Sequence, residues 1–326
     1  MPAKHGANGS PTCIDGKKRD GSLQTADSRR TAILKFKAKL QPPLLTKQTK
    51  ERKFMNPPIK WYGGKTNIAK WICGIIDRYK HTSYIEPFGG SGAVLFAKEP
   101  SPLEVYNDIY GDVVNMYRII RDEKTFHEFK RFVALTPYSR EMCMEASTMR
   151  GLTKSDAERA AMFFVAARQC FGGLRAGSSG WSCCVELKSS KQASAYINTV
   201  DRLDDIHRRL AAVQIENRDA VDCIRRYAFD NTNGCSLIYA DPPYVFSTRV
   251  SINVYQYEFT DYQHIKLIDT LLSVPGHKIL SGYRTPLYEP LLDAGWTLIE
   301  KPVKLRRAGR KAADRIECLY CSPVER

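Results

Sequence analysis

Hydrophobic positions along the chain fall into two regimes. Residues 1–54 are rich in Lys, Arg, Ser, Thr, Gly and Pro and show little apolar periodicity. That composition predicts a mostly disordered basic extension, with Thr31–Leu40 as the one stretch able to form a short helix. From Met55, which also reads as an alternative start, the pattern turns globular. Ile68, Trp71, Ile72, Ile75 and Ile76 recur at helical spacing within Asn67–Tyr79. Ser83–Phe88 is a short extended run, the loop Gly89-Gly90-Ser91-Gly92 follows, and Ala93–Ala97 reads as a helix start. Leu103–Tyr106 is a second strand closed by Asn107-Asp108, and Asp112–Arg121 is helical. Strand, glycine loop, helix, strand is how a parallel α/β sheet begins.

The middle of the chain, residues 125–216, has another rhythm. Helices are predicted over Asp156–Arg168 and Ala195–Leu210, and the Gly/Ser-rich run Phe171–Trp181 lies between them with few core residues. Afterwards the α/β pattern returns: strand Ser236–Ala240, helix Tyr262–Leu272, strand Lys278–Ser281, then strands near Thr297–Lys301 and Ile316–Cys321. The expected architecture is an α/β domain over 55–124 and 217–326, interrupted by a mainly helical insertion over 125–216. No internal repeat is visible.

Composition sharpens this outline. At 43% hydrophobic and 26% charged residues, the chain can bury a sizeable core, and no apolar run approaches the length of a membrane span. The start is polar and lacks the apolar core of a secretion signal, so the expected location is the cytosol, or the nucleoid. The net charge of +15 is uneven: +9 sits in residues 1–54 and +6 in the remainder. A body that stays basic without its tail fits a polyanionic partner. Of the ten cysteines, Cys318 and Cys321 have C-x-x-C spacing, but no second pair or nearby His completes a zinc set, and the pair sits in a predicted strand. Reduced thiols and no metal are expected.

Two segments carry chemistry. Glu86-Pro-Phe-Gly-Gly-Ser-Gly92 joins a strand to a helix, where residues without a Cβ let a ligand approach the backbone. Asp108 ends the following strand, where a carboxylate can accept hydrogen bonds from ribose hydroxyls. Leu95 stands where a third glycine would complete a dinucleotide fingerprint, so a nicotinamide enzyme is disfavoured and an adenosyl ligand remains natural. An ordinary tight turn with an Asp helix cap is the other reading. In Leu237-Ile-Tyr-Ala-Asp-Pro-Pro-Tyr244, an apolar strand delivers Asp241 to the carboxyl end of a sheet. Pro242 and Pro243 remove two N–H groups and leave carboxylate and carbonyl acceptors beside the ring of Tyr244. That set suits an amino group on a flat base; a rigid turn with Tyr244 in the core is the alternative.

With these motifs in hand the chain resembles the Dam-type (D12-class) DNA adenine methyltransferases. The likeness rests on Lys60-Trp-Tyr-Gly-Gly-Lys65, Glu86-Pro-Phe-Gly-Gly-Ser-Gly-Ala-Val94, Asn107-Asp108 and Asp241-Pro-Pro-Tyr244, in that order, and spans about residues 55–322. It implies a Rossmann-like methyltransferase sheet with a target-recognition insertion, and S-adenosyl-L-methionine as methyl donor. Site-specific transfer to N6 of an adenine flipped out of double-stranded DNA would follow, with the protein acting as a monomer. By the resemblance, Trp61 and Lys65 close over the donor, Phe88, Gly90 and Gly92 line it, and Asp108 holds its ribose. Asp241 stands where donor and base meet, Asp241 and the Pro242 carbonyl accept from the target amine, and Tyr244 stacks on the base.

In the insertion, Arg168, Gln169 and Arg175 flank glycine-rich turns that could meet phosphates or base edges; solvated surface charge is the plainer reading of the arginines. The run Ala167-Arg168-Gln169-Cys170-Phe171-Gly172-Gly173 departs from the Asn-Arg and Asn-Gly stretch expected of the family, so a GATC target does not carry over. Arg306, Arg307, Arg310 and Lys311 form a basic hairpin expected at phosphate. Competing classes are a cytosine amine methyltransferase, which typically has Ser in place of Asp241, an amino-methyltransferase acting on RNA or protein amides, and a catalytically inactive DNA-binding relative.

Overall fold

The computed structural model describes residues 54–148, 155–170, 180–183, 191–249, 256–307 and 310–324, with the side chains of 304–314 excepted. The chain divides into two units, Met1–Lys53 and Phe54–Arg326. The first, with the short helix expected at Thr31–Leu40, lies outside the described residues.

The second unit is built on one twisted sheet. Its strands are β1 (Ser83–Glu86), β2 (Leu103–Asn107), β3 (Val213–Glu216), β4 (Asp230–Asn231), β5 (Gly234–Ala240), β6 (His277–Gly282), β7 (Thr297–Arg307) and β8 (Arg310–Cys321). The spatial order is β3-β2-β1-β5-β6-β8-β7, with the short β4 paired to β5. From β3 to β6 all pairings are parallel, and β8 joins antiparallel to β6 and to β7. This is the Rossmann-like arrangement expected. All four residues of β1 are buried, as are the last five of β5, because helices cover both faces of a parallel sheet. The register puts Ile85 between Val105 and Ile238.

From β1 the chain winds outward through β2 to β3, and from β5 it winds the other way to β6. The order therefore reverses between β1 and β5, and a crevice opens at the carboxyl ends of such a pair. The glycine loop follows β1 and the Asp-Pro-Pro-Tyr segment follows β5, so topology alone makes them neighbours.

The helices are α1 (Ala69–Ile76), α2 (Ala93–Ala97), α3 (Gly111–Arg121), α4 (Glu123–Leu135), α5 (Arg140–Thr148), α6 (Asp156–Gln169), α7 (Lys191–Val200), α8 (Leu203–Leu210), α9 (Ala220–Tyr227), α10 (Asp261–Ser273) and α11 (Glu289–Asp293). Helix α6 is capped by Ser155, whose hydroxyl accepts from Glu158 N. It is apolar nearly all round and packs against α3, α4 and α5, so it forms the axis of the helical segment. The single helix expected over Ala195–Leu210 is two. The chain turns at Asp201-Arg202, and α8 starts afresh with Asp204 and Asp205 in its first turn and His207, Arg208 and Arg209 in its last, the charge order its dipole favours. The segment expected as an insertion also ends in β3, which pairs with β2. Below the sheet edge, Lys98 and Arg209 both meet Glu104, with Lys98 Nζ at 2.6 Å, and tie β2 to the end of α2 and to α8.

Cys318 and Cys321 lie in β8, three residues apart on an alternating strand. One faces the core cluster with Ile238 and Leu280, the other the cluster with Tyr79 and Ile279, so they cannot serve one metal. Among the described residues no group of three or more His, Cys, Asp or Glu is placed to hold a metal, and no helix is long and apolar enough to cross a membrane.

Candidate active site

The crevice between β1 and β5 contains a cavity of about 210 Å3. Of the residues singled out in the sequence, Trp61, Lys65, Phe88, Gly90, Asp108, Asp241 and Pro242 form its wall. Residues far apart in the chain thus meet at one place.

At the glycine-loop end, the main chain is fixed by hydrogen bonds. Gly89 N donates to Asn107 O (2.8 Å), Tyr106 Oη donates to Gly90 O (2.6 Å), and Tyr117 Oη donates to Ser91 O (2.7 Å). Gly90 has φ +49°, and a Cβ there would lie 2.6 Å from Trp61 Nε1. The loop therefore needs glycine twice over, for its dihedral and for the indole packed on it. Gly92 has φ +64° and stands outside the wall; it begins α2, and a Cβ would press on Phe96. Its role here is the turn, not lining.

Asp108 serves this end as an acceptor. Its Oδ2 accepts from Gly90 N (2.7 Å) and its Oδ1 from Tyr110 N (2.8 Å). Each oxygen has a further lone pair, so hydroxyls of a ligand can still be accepted. Burial pushes its pKa up to about 6, against the opposing effect of the backbone N–H groups of Tyr110, Gly90 and Ile109. Asn107 clamps the neighbouring loops: its Nδ2 donates to Pro87 O (2.8 Å) and Arg218 O (3.1 Å), and its Oδ1 accepts from Arg218 N (3.0 Å).

The tetrapeptide end is held by side chains. Lys65 Nζ lies 2.7 Å from Asp241 Oδ1, 3.2 Å from Gly63 O and 4.6 Å from the centre of the Tyr244 ring. Burial raises the Asp241 pKa, and the Lys65 cation opposes that rise. Tyr244 is only 6% exposed and does not line the cavity. Its ring meets Tyr283 edge-on at 4.5 Å, while its hydroxyl donates to Glu317 Oε2 (2.6 Å) and lies 3.0 Å from Ser281 Oγ. The Lys65 ammonium lies over one face of that ring.

Sequence reasoning gave no role to several residues of the wall. Glu86 is buried, accepts from Tyr84 Oη (2.8 Å), and is pushed up to about 8, chiefly by burial and in part by the Asp241 charge. It was visible as the last residue of a strand before the glycine loop. Asp219 caps α9 by accepting from Val221 N and Asp222 N, and Tyr110 packs between Trp61, Phe163 and Tyr257. Nothing in their local sequence marks them as lining a ligand site.

In the helical segment the expectations for Gln169 and Arg168 need correcting. Gln169 is fully buried; its Nε2 donates to Pro137 O (3.0 Å) and its Oε1 accepts from Ser139 N (3.1 Å), so the amide has no face for a base or phosphate. Arg168 is half-buried and donates to Ala195 O (2.8 Å), which ties α6 to α7. Together they close the end of α6, Gln169 against the loop at Pro137-Tyr138-Ser139 and Arg168 against α7. Arg175 lies outside the described residues. Arg306 and Arg307 end β7, Arg310 and Lys311 begin β8, and Arg307 pairs with Arg310 across the hairpin; their side chains lie outside those described.

The cavity suits a cationic adenosyl ligand by its set of acceptors. Asp108, Asp219, Asp241 and Glu258 line it with the aromatic rings of Phe88 and Tyr110, and outnumber the two cations in the wall, Lys65 and Arg218. Acceptors at both ends and flat apolar walls between them match a nucleoside carrying a positive charge.

The sequence is also similar to that of known proteins. The sequence pattern of the D12 class N6 adenine-specific DNA methyltransferases matches residues 61–300. The type II methyltransferase M1.LlaDCHI of Lactococcus lactis subsp. cremoris is 24% identical over 266 residues, covering 73% of this chain and 84% of that protein. The type II methyltransferase M.MjaIII of Methanocaldococcus jannaschii is 25% identical over 290 residues, covering 82% and 97%. The DNA N-6-adenine-methyltransferase of Escherichia phage P1 is 29% identical over 143 residues, 39% of this chain and 18% of that protein.

Proposed function

The chain belongs to the D12 class of N6 adenine-specific DNA methyltransferases, and from that premise we propose that it transfers a methyl group from S-adenosyl-L-methionine to N6 of an adenine rotated out of double-stranded DNA. The observation that carries the reading is the convergence of Gly90, Asp108 and Asp241 on one cavity at the β1/β5 reversal. When bound, the donor supplies an electrophilic methyl group on a sulfonium.

The residues divide the work. Asp108 accepts from hydroxyls, Phe88 gives an apolar face, and the acidic wall favours a cation. The adenine amine is a poor nucleophile because its lone pair is delocalised into the ring. Asp241 and the Pro242 carbonyl accept its two N–H bonds, which favours a pyramidal nitrogen with a localised pair. Catalysis of this kind is positioning and electrostatics, with no covalent enzyme intermediate. After transfer the surplus proton leaves N6 for Asp241 Oδ or water. A cytosine amine can be held by similar acceptors, but Asp241 rather than Ser favours adenine. Arg175 and the basic β7–β8 hairpin are proposed for DNA contact, with the 125–216 segment as the reader of sequence and a monomer as the acting unit.

The test is transfer of labelled methyl to unmethylated DNA, with the product nucleoside identified and its sites mapped. N6-methyladenine at a fixed sequence, lost in Asp241→Ala, is the expected result. Binding without transfer would favour the inactive DNA-binding relative, and N4-methylcytosine would favour the cytosine reading.

A further inference from the structure

Lys65 lies against both Asp241 and the ring of Tyr244. Its ammonium lies 2.7 Å from Asp241 Oδ1 and 4.6 Å from the centre of the Tyr244 ring. The first is the group the proposed function gives to the adenine amine, and the second is the ring that the resemblance gives to its face. Both side chains of the ion pair are largely shielded, at 9% exposure for Lys65 and 16% for Asp241. A purine and an ammonium cannot occupy one ring face together.

We propose that Lys65 is a stand-in for the target amine, which holds the catalytic acceptor until the positive charge of the methyl donor replaces it, so that entry of the base depends on the donor. The inference rests on the methyltransferase reading of the site and deepens it.

Charge supplies the reason. A shielded carboxylate without a counter-charge is costly, and removing one partner of such a pair leaves that cost exposed. Asp241 also feels a second carboxylate, Glu317, which makes a nearby cation still more necessary. A neutral adenine amine can accept the geometry of Asp241 but cannot neutralise it. A donor cation in the same cavity can, and its repulsion of Lys65 favours release of the ammonium. The four-carbon stem of Lys65 is flexible, so its head group can change partners by rotation about side-chain bonds. The device therefore orders events: donor first, base second.

The test uses the full chain and a duplex carrying 2-aminopurine at the adenine that mapping identifies. Fluorescence of that base reports its departure from the stack and is independent of turnover. Three conditions are compared: no ligand, the neutral product S-adenosylhomocysteine, and the cationic analogue sinefungin. For the wild type, the fluorescence gain is expected to be roughly tenfold larger with the cation than with no ligand, and small with the neutral product. Lys65→Met, similar in length and uncharged, is expected to show the large gain without any ligand. Anisotropy of the same duplex checks that the variant still binds DNA. The wild-type arms decide even if Lys65→Met does not fold: an equal gain with neutral and cationic ligands, or a full gain without ligand, overturns the proposal. So does a folded Lys65→Met that keeps the wild-type dependence. A chain that deposits no N6-methyladenine would instead overturn the proposed function, before this experiment is reached.

Discussion

The two ends of the cavity are built on different principles. At the glycine-loop end, Gly89, Gly90 and Ser91 are held through their main-chain atoms, and Asp108 spends one lone pair of each oxygen on a backbone N–H. At the tetrapeptide end, Asp241 and Tyr244 are held by side chains, those of Lys65, Glu317 and Ser281. Main-chain anchoring cannot be exchanged without unfolding the loop, whereas an ion pair can be traded for another cation. The first end is suited to grip a ligand in one pose. The second is suited to change partners during a reaction.

This contrast can be broken at four places. The largest effect is expected from Asp241→Ala, which should lower single-turnover methyl transfer by at least about a thousandfold. Donor affinity, measured by calorimetry, should change far less; an equal loss of both would mean that the two ends are not separable. Next is Gly90→Ala. The added Cβ meets Trp61 and the dihedral is left-handed, a strain on the order of 1–3 kcal/mol. Donor affinity should fall roughly ten- to a hundredfold with the corresponding loss in stability, while an unchanged affinity would show that the loop is not the gripping element.

Asp108 gives a smaller, pH-dependent effect. With a pKa near 6, it is protonated below that value and loses acceptor capacity. Donor affinity should therefore rise as pH increases from 5 to 7. Asp108→Asn should remove that rise and weaken binding about tenfold at neutral pH, the worth of a charge-assisted hydrogen bond. A wild-type affinity that is flat across this range would contradict the assignment. The smallest effect is at Glu86. Its folded pKa, about 8, lies above the ordinary carboxylate value of 4.5. The native state thus keeps a proton that the unfolded chain releases, and stability falls as pH rises from about 4.5 to 8 and levels off above. Glu86→Gln should flatten that slope and raise the melting temperature at pH 8.5, by about 2–4 °C for each kcal/mol recovered.

Much of this was legible in the sequence because the sheet edge is written in local signals. Strands β1, β2 and β5 are short, mostly apolar runs that deliver Glu86, Asp108 and Asp241 at or just after their ends, and proline follows two of these acids. Their pairing could be read only through the order of motifs, since nothing in β1 names β5 as its neighbour. Where periodicity was ambiguous, prediction failed for physical reasons. Helix α4 shows Phe126, Phe129 and Val133 on one face behind the Asp122 cap, but its charged remainder masked it. The break between α7 and α8 lies at Asp201-Arg202, where only the acidic start of α8 signals a new helix. Gln169 looked like a recognition residue because a polar side chain beside a glycine-rich run usually faces outward; here the loop at Pro137-Tyr138-Ser139 folds over it, a long-range contact that spacing does not encode. The Lys65–Asp241 pair is also invisible in one dimension, since 176 positions separate its members.

The amide of Asn107 joins the loops after β1, β2 and β3 without carrying a charge. Around it, Asp108 and Glu86 change ionisation between about pH 6 and about pH 8. A joint that does not titrate sits among acids that do, so a change of acidity alters the charge of the crevice wall but not of the clasp between its loops.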